Sequence, residues 1–171
     1  MNLSQNRHQL AKILVPTDFS PASDAATDYA LFLAAQADAE VDLLYVWDPR
    51  AEGKEGGRAI LFAESSRGVK MESRLAQPRD DKIHFRGRVE FGDVCAAIVR
   101  VAADDHFDLI VMGLRARARL SHLVVGHLAR RVAARTECPV ITLGESPTRG
   151  VGRVFAGGAR EGHTVESRAP V

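Results

Sequence analysis

The segment VMGLRARARLSHLVVGHLARR, residues 111–131, contains the residue types of an anion-binding loop. Gly113 ends an apolar run, Gly126 follows it, and Arg115, Arg117 and Arg119 lie between them. A guanidinium can bind a phosphate through two parallel hydrogen bonds, and a glycine lets backbone N–H groups approach phosphate oxygens. If the loop is extended, the alternation of the arginines prevents all three from pointing inward. The segment therefore indicates either a phosphate site or a solvated, arginine-rich surface loop.

A second polar group, Pro16, Thr17 and Asp18, follows the first apolar run of the chain. Asp18 could accept hydrogen bonds from a base or a ribose, or it could stabilise the turn into the following helix. The two segments do not indicate catalysis, because they contain neither a Ser-His-Asp triad nor a cluster of metal-binding residues. His122 and His127 are also off the i, i+4 spacing of metal ligands on one helix face. We predict no metal site and at most a weak ATPase activity.

The bulk composition indicates a soluble, single-domain protein. The chain has 171 residues, 46% hydrophobic and 26% charged, and a net charge of +1, which gives no argument for nucleic acid as a partner. The arginine cluster also lacks the interleaved aromatic residues that stack on single-stranded bases. No apolar run reaches the roughly 18 residues of a membrane helix, and the N-terminus does not resemble a signal peptide. We predict a cytoplasmic protein with two reduced, buried cysteines, Cys95 and Cys138.

Apolar runs alternate with amphipathic segments along the chain, in the order β-α-β-α-β-α-β-α-β. Ser20 with Pro21, and later Asp93, are suited to begin helices. A weaker helical pattern at about 59–76 is interrupted by Gly68. The predicted strands are residues 12–18, 41–49, 83–92, 107–113 and 138–144. This alternation predicts an α/β fold, a doubly wound, five-stranded parallel sheet in a three-layer α/β/α sandwich, with strand order 3-2-1-4-5.

The predicted organisation is an N-terminal extension at 1–10, a domain at 11–145 and a flexible, Gly-rich tail at 146–171. In an open parallel sheet, ligands bind at the carboxyl ends of the strands, where the strand order reverses. If the first and fourth strands are neighbours, the turn at Pro16–Asp18 and the turn at Met112–Gly113 face one crevice.

Three stretches together resemble the universal stress protein family: ILVPTDFSPASDAATDYALFLA, DLLYVWDP, and DLIVMG with LSHLVVGHLARRVAARTECPVITL. The resemblance runs from about Lys12 to Leu143. It implies the same fold and, in members that bind ATP, a pattern of Gly, two residues, Gly, nine residues, Gly, then Ser or Thr. In this chain those four positions are Gly113, Ala116, Gly126 and His127, so the second and the fourth depart from the pattern.

The resemblance also implies adenine and ribose contacts from Thr17, Asp18 and Val46. Each departure reduces the free energy of phosphate binding by about 1 kcal/mol, because Ala116 would be strained and His127 lacks the hydroxyl. A charged hydrogen bond from a loop arginine would offset about 1.5–3 kcal/mol. The losses at Ala116 and His127 and the gain from an arginine nearly balance. The sequence is therefore compatible both with a site that binds an adenine nucleotide (ATP, ADP or AMP) and with a vestigial site. The predicted nucleotide-binding residues are Pro16, Thr17, Asp18, Val46, Met112, Gly113, Arg115, Ala116, Gly126, His127 and Leu128.

The alternative function is a dimeric interaction module that binds no nucleotide. The family resemblance implies a homodimer formed through the last strand. Residues Val140–Leu143 fit that expectation, since an apolar strand at the edge of a sheet readily pairs with a second copy.

Overall fold

The apolar runs of the sequence form the parallel strands of one sheet. The computed structural model describes residues 10–48, 56–77, 82–114, 127–144, 151–155 and 165–168. The parallel strands lie in the order β3-β2-β1-β4-β5, with the reversal between β1 and β4, so the predicted fold class is confirmed. Their bounds are β1 (Lys12–Thr17), β2 (Glu40–Trp47), β3 (Phe85–Phe91), β4 (Leu109–Leu114) and β5 (Val140–Gly144).

Within the described residues, four helices connect these strands and cover both faces of the sheet. They are α1 (Pro21–Ala37), α2 (Gly56–Leu75), α3 (Val94–Asp104) and α4 (His127–Ala133). Alternate strand residues divide between two buried clusters, because successive side chains point to opposite faces. Ile13 and Leu43 pack with the alanines of α1, whereas Leu14 and Ile110 pack with α3 and α4. In the described ranges, no helix is both long and apolar enough to cross a bilayer.

The tail contributes two strands that the sequence did not predict, β6 (Val151–Phe155) and β7 (Val165–Arg168). β6 pairs antiparallel with β5, and β7 pairs antiparallel with β6. The strand Val140–Gly144 is therefore an inner strand, which corrects the expectation of an open edge at Val140–Leu143. Unpaired backbone groups along β5 offer hydrogen bonds to any extended segment, and the chain itself supplies that segment. Strands this short lack a sustained hydrophobic period that could reveal them in the sequence.

Helix α1 lies unusually close to β4, and Gly113 makes this possible. A Cβ atom on Gly113 would lie 2.6 Å from the backbone nitrogen of Ser23, and it would overlap the carbonyl group of Ala22. The helix face that approaches the sheet is built from small residues, including Ala26 and Ala30, both fully buried. Small side chains on the helix and a missing one on the strand therefore let the first turn of α1 sit against the end of β4.

We expect Gly113→Ala to destabilise the protein by about 1–3 kcal/mol, because backbone atoms of α1 must move to accommodate the methyl group. Gly144→Ala is a matched control at the end of the neighbouring strand, where an added Cβ meets nothing within 4 Å. Urea denaturation followed by circular dichroism measures both. Equal stability of the two variants would contradict this account of the α1 contact.

Cys95 and Cys138 are both free and buried, and burial raises the pKa of the Cys138 thiol to about 11 from its ordinary value of 9.0. Because folding raises this pKa, the Cys138 thiol leaves the free energy of unfolding unchanged below about pH 9 and lowers it as the pH rises toward 11.

We expect a disulfide reagent at pH 8 to label neither cysteine in the native protein and both in denaturant. Rapid native labelling of Cys138 would show that the thiol is accessible.

Candidate functional site

The turn between β1 and α1 is held by a network of short polar side chains. The Ser20 and Ser23 side chains and backbone N–H groups bond reciprocally, which makes a capping box at the start of the helix. The backbone N–H of Ser20 donates to Asp18 Oδ1 at 3.0 Å, and the Thr17 hydroxyl donates to Ser23 Oγ at 3.1 Å. Asp18 and Thr17 therefore stabilise the turn that leads into α1, as the helix-stabilising interpretation of Asp18 predicts.

Phe19, in the middle of this turn, has a left-handed backbone conformation with φ 58°. Such a conformation costs about 1–2 kcal/mol for a residue with a Cβ atom. Two contacts hold it there: the Phe19 N–H donates to Thr17 Oγ1 at 2.9 Å, and the ring stacks on Tyr45 with centroids 5.3 Å apart. The strained residue thereby ties the end of β1 to the end of β2.

The carboxyl ends of β1, β2 and β4 enclose a cavity of about 390 Å³. This volume lies within the usual range for small-molecule sites, and its place in the fold is where open parallel sheets bind ligands. The lining residues are Pro16, Thr17, Asp18, Ser20, Ser23, Leu44, Tyr45, Val46, Asp48, Arg67, Val94, Met112, Gly113 and Leu128.

The structure brings most of the predicted site residues together around this cavity. Those that line it are Pro16, Thr17, Asp18, Val46, Met112, Gly113 and Leu128. His127, the first residue of α4, is exposed and is not among the lining residues. Arg115, Ala116 and Gly126 lie outside the described residues. The turns that carry Asp18 and Gly113 therefore converge, as the strand order requires.

Other lining residues were missed by the sequence analysis. Tyr45 lies near the end of β2 and Asp48 directly follows that strand. The strand-end position that identified Asp18 could therefore have identified them as well. Val94 opens α3 immediately after its cap Asp93, whose pKa is lowered chiefly by the hydrogen bond from the Ala96 N–H. Arg67 had no such signal, because it lies on α2, where the helical pattern is weak.

The cavity wall combines apolar and charged groups of both signs. Asp18 and Asp48 supply carboxylates, and Arg67 is the cationic side chain among the described lining residues. The Arg67 guanidinium lies 5.0 Å from the centroid of the Tyr45 ring, in cation–π geometry. Among the residues that the structure describes, no group of three or more His, Cys, Asp and Glu side chains could hold a metal ion. This arrangement suits a ligand with a flat apolar part, hydroxyl groups and an anionic end.

Two solved structures with this fold contain adenine nucleotides. One is a universal stress protein in complex with cAMP, which matches with a TM-score of 0.59 at 20% identity over 81% of this chain and 99% of that chain. The other is a universal stress protein family protein from Arabidopsis thaliana with AMP bound. Its TM-score is 0.57 at 16% identity, over 80% of this chain and 93% of that chain.

Two relatives of higher sequence identity come from the archaeon Methanocaldococcus jannaschii. Universal stress protein MJ0531 of Methanocaldococcus jannaschii is 33% identical over 139 residues, which cover 77% of this chain and 81% of that protein. The solved structure of MJ0577 from the same organism matches with a TM-score of 0.68 at 25% identity, over 82% of this chain and 99% of that chain. A sequence profile of the universal stress protein family matches residues 10–143. On this match and these likenesses, the chain belongs to the universal stress protein family.

Proposed function

We propose that this protein binds an adenine nucleotide in the cavity at the ends of β1, β2 and β4. The single observation that carries the proposal is the convergence of two carboxylates, one guanidinium and an apolar wall on that one cavity. A nucleotide has the complementary set of groups: a flat apolar base, ribose hydroxyls and an anionic phosphate. The complexes with cAMP and AMP in two proteins of the same fold support the same class of ligand.

Each part of the nucleotide has a matching part of the wall. The apolar side chains of Val46, Met112 and Leu128, from three different elements, suit the faces and edges of an adenine ring. The carboxylates of Asp18 and Asp48 can accept hydrogen bonds from ribose hydroxyls, which are good donors.

The phosphate end has two candidate sources of positive charge. Arg67 lies in the cavity wall, and its guanidinium can bind phosphate oxygens bidentately. Arg115, Arg117 and Arg119 follow β4, the strand that supplies Met112 and Gly113. In this proposal the arginines, rather than the glycine and hydroxyl that are missing at Ala116 and His127, bind the phosphate.

We expect AMP, ATP or cAMP to bind the purified protein, as measured by isothermal titration calorimetry. Val94→Phe should weaken this affinity at least roughly tenfold, because the larger side chain enters the cavity. Val99→Phe is the matched control, since Val99 is also a half-buried valine of α3 but does not line the cavity. The proposal fails if no nucleotide binds at millimolar concentration and none is released when the purified protein is denatured.

The phosphate contacts can be separated from the base and ribose contacts by comparing AMP with adenosine. We expect Arg67→Gln to weaken AMP binding roughly tenfold while changing adenosine affinity much less, because the lost interaction is charged. The triple variant of Arg115, Arg117 and Arg119 to Ala should act in the same direction and most strongly on ATP. AMP and ATP affinities that survive all four substitutions would rule out arginines as the phosphate ligands.

A further inference from the structure

A second cavity, of about 220 Å³, lies between α2 and the carboxyl ends of β2 and β3, and its wall is almost wholly apolar. Three aromatic side chains form much of this wall, those of Tyr45, Trp47 and Phe91, and Met71 and Val89 extend it. A buried apolar cavity of about 150 Å³ is large enough to bind benzene. This second cavity, called the apolar cavity below, is therefore large enough for a small aromatic molecule.

The apolar cavity exists because α2 has a glycine on its inner face. Gly68, Met71 and Leu75 follow the i, i+3, i+7 spacing of one helix face, and Met71 and Leu75 pack in the core cluster below α1. A Cβ atom on Gly68 would meet nothing within 4 Å, and the backbone of Gly68 is not left-handed. Glycine destabilises the interior of a helix relative to alanine, and neither packing nor backbone conformation requires it here. Gly68 thus leaves open a space that a larger residue would fill.

Arg67 is the one charged residue among the described residues that line the apolar cavity. Its guanidinium lies over the Tyr45 ring, 5.0 Å from the ring centroid. That contact uses the face of the guanidinium, whereas its N–H groups lie in the plane, where a carboxylate can accept two parallel hydrogen bonds. The wall therefore complements a molecule with an apolar body and one anionic group. The nucleotide cavity differs, because Asp18 and Asp48 add two carboxylates to its wall.

We propose that the apolar cavity is a second ligand site, which takes a small aromatic carboxylate. The ring of the ligand packs against Trp47, Phe91 and Met71, since aromatic edges and a thioether sulfur are favourable neighbours for an aromatic ring. The carboxylate of the ligand binds the Arg67 guanidinium at the rim. Arg67 and Tyr45 line both cavities, so the tests of this site are made without nucleotide.

Trp47 is the one tryptophan of the chain and lines the apolar cavity, so its fluorescence reports occupancy directly. We expect phenylacetate to change the Trp47 emission saturably, with a dissociation constant of about 1 mM or lower, as for a ligand of this size. Acetate lacks the ring and phenylacetamide lacks the charge, and each should bind at least roughly tenfold more weakly. The absence both of a saturable emission change and of a calorimetric heat of binding with phenylacetate would overturn the proposal.

The position of the carboxylate is tested at Arg67. Arg67→Gln should weaken phenylacetate binding roughly tenfold and leave the affinity for phenylacetamide nearly unchanged, because the lost interaction is charged. Lys70→Gln is the matched control, since it removes one positive charge from an exposed residue of α2 that does not line the cavity. An equal effect of the two substitutions on phenylacetate would contradict a carboxylate bound at Arg67.

The position of the ring is tested at Gly68. Gly68→Leu should raise the urea midpoint of unfolding, because leucine favours the helix and fills open apolar space, and it should weaken phenylacetate binding at least roughly tenfold. Val69→Leu is the control, since Val69 is 61% exposed and does not line the cavity. A lower urea midpoint for Gly68→Leu, or unchanged phenylacetate affinity in that folded variant, would exclude the apolar cavity as the site.

This second site stands or falls separately from the proposed function. A protein that binds phenylacetate but neither AMP nor ATP would support the second site and remove the nucleotide proposal. A protein that binds AMP but gives no phenylacetate signal would do the reverse.

Discussion

The close contact between the first turn of α1 and the end of β4 determines where everything else at the candidate site lies. It depends on one missing side chain, at Gly113, against which the backbone of Ala22 and Ser23 packs. A glycine in this position looks, in the sequence, like the start of a phosphate loop. In the structure the role of Gly113 is packing, because even a methyl group at this position would push α1 away from β4.

Once α1 is seated in this way, the turn that leads into it becomes one wall of the cavity. Thr17, Asp18, Ser20 and Ser23 hold each other through hydrogen bonds, and Phe19 is kept in a strained conformation by its stacking on Tyr45. A wall that is fixed before a ligand arrives needs little reorganisation on binding, which favours affinity. The stability of the turn and the shape of the site are therefore two results of the same contacts.

The edges of the sheet show how a terminal segment changes which surface can associate. β6 occupies the side of β5 that would otherwise be open, and the pair β6–β7 moves that edge outward to a short strand. At the other end, β3 keeps exposed apolar residues while its charges are satisfied internally.

The sequence by itself determined the five parallel strands, the helix starts at Ser20 and Asp93, and the candidate residues at the ends of β1 and β4. These follow from local periodicity, capping chemistry and the chirality of crossovers. It could not locate Arg67, β6 or the packing role of Gly113. Arg67 reaches the cavity only because α2 packs where it does, β6 exists only because β5 has backbone groups to satisfy, and Gly113 matters only because α1 approaches it. Each of these depends on distances between segments far apart in the chain, which tertiary packing sets and local patterns do not encode.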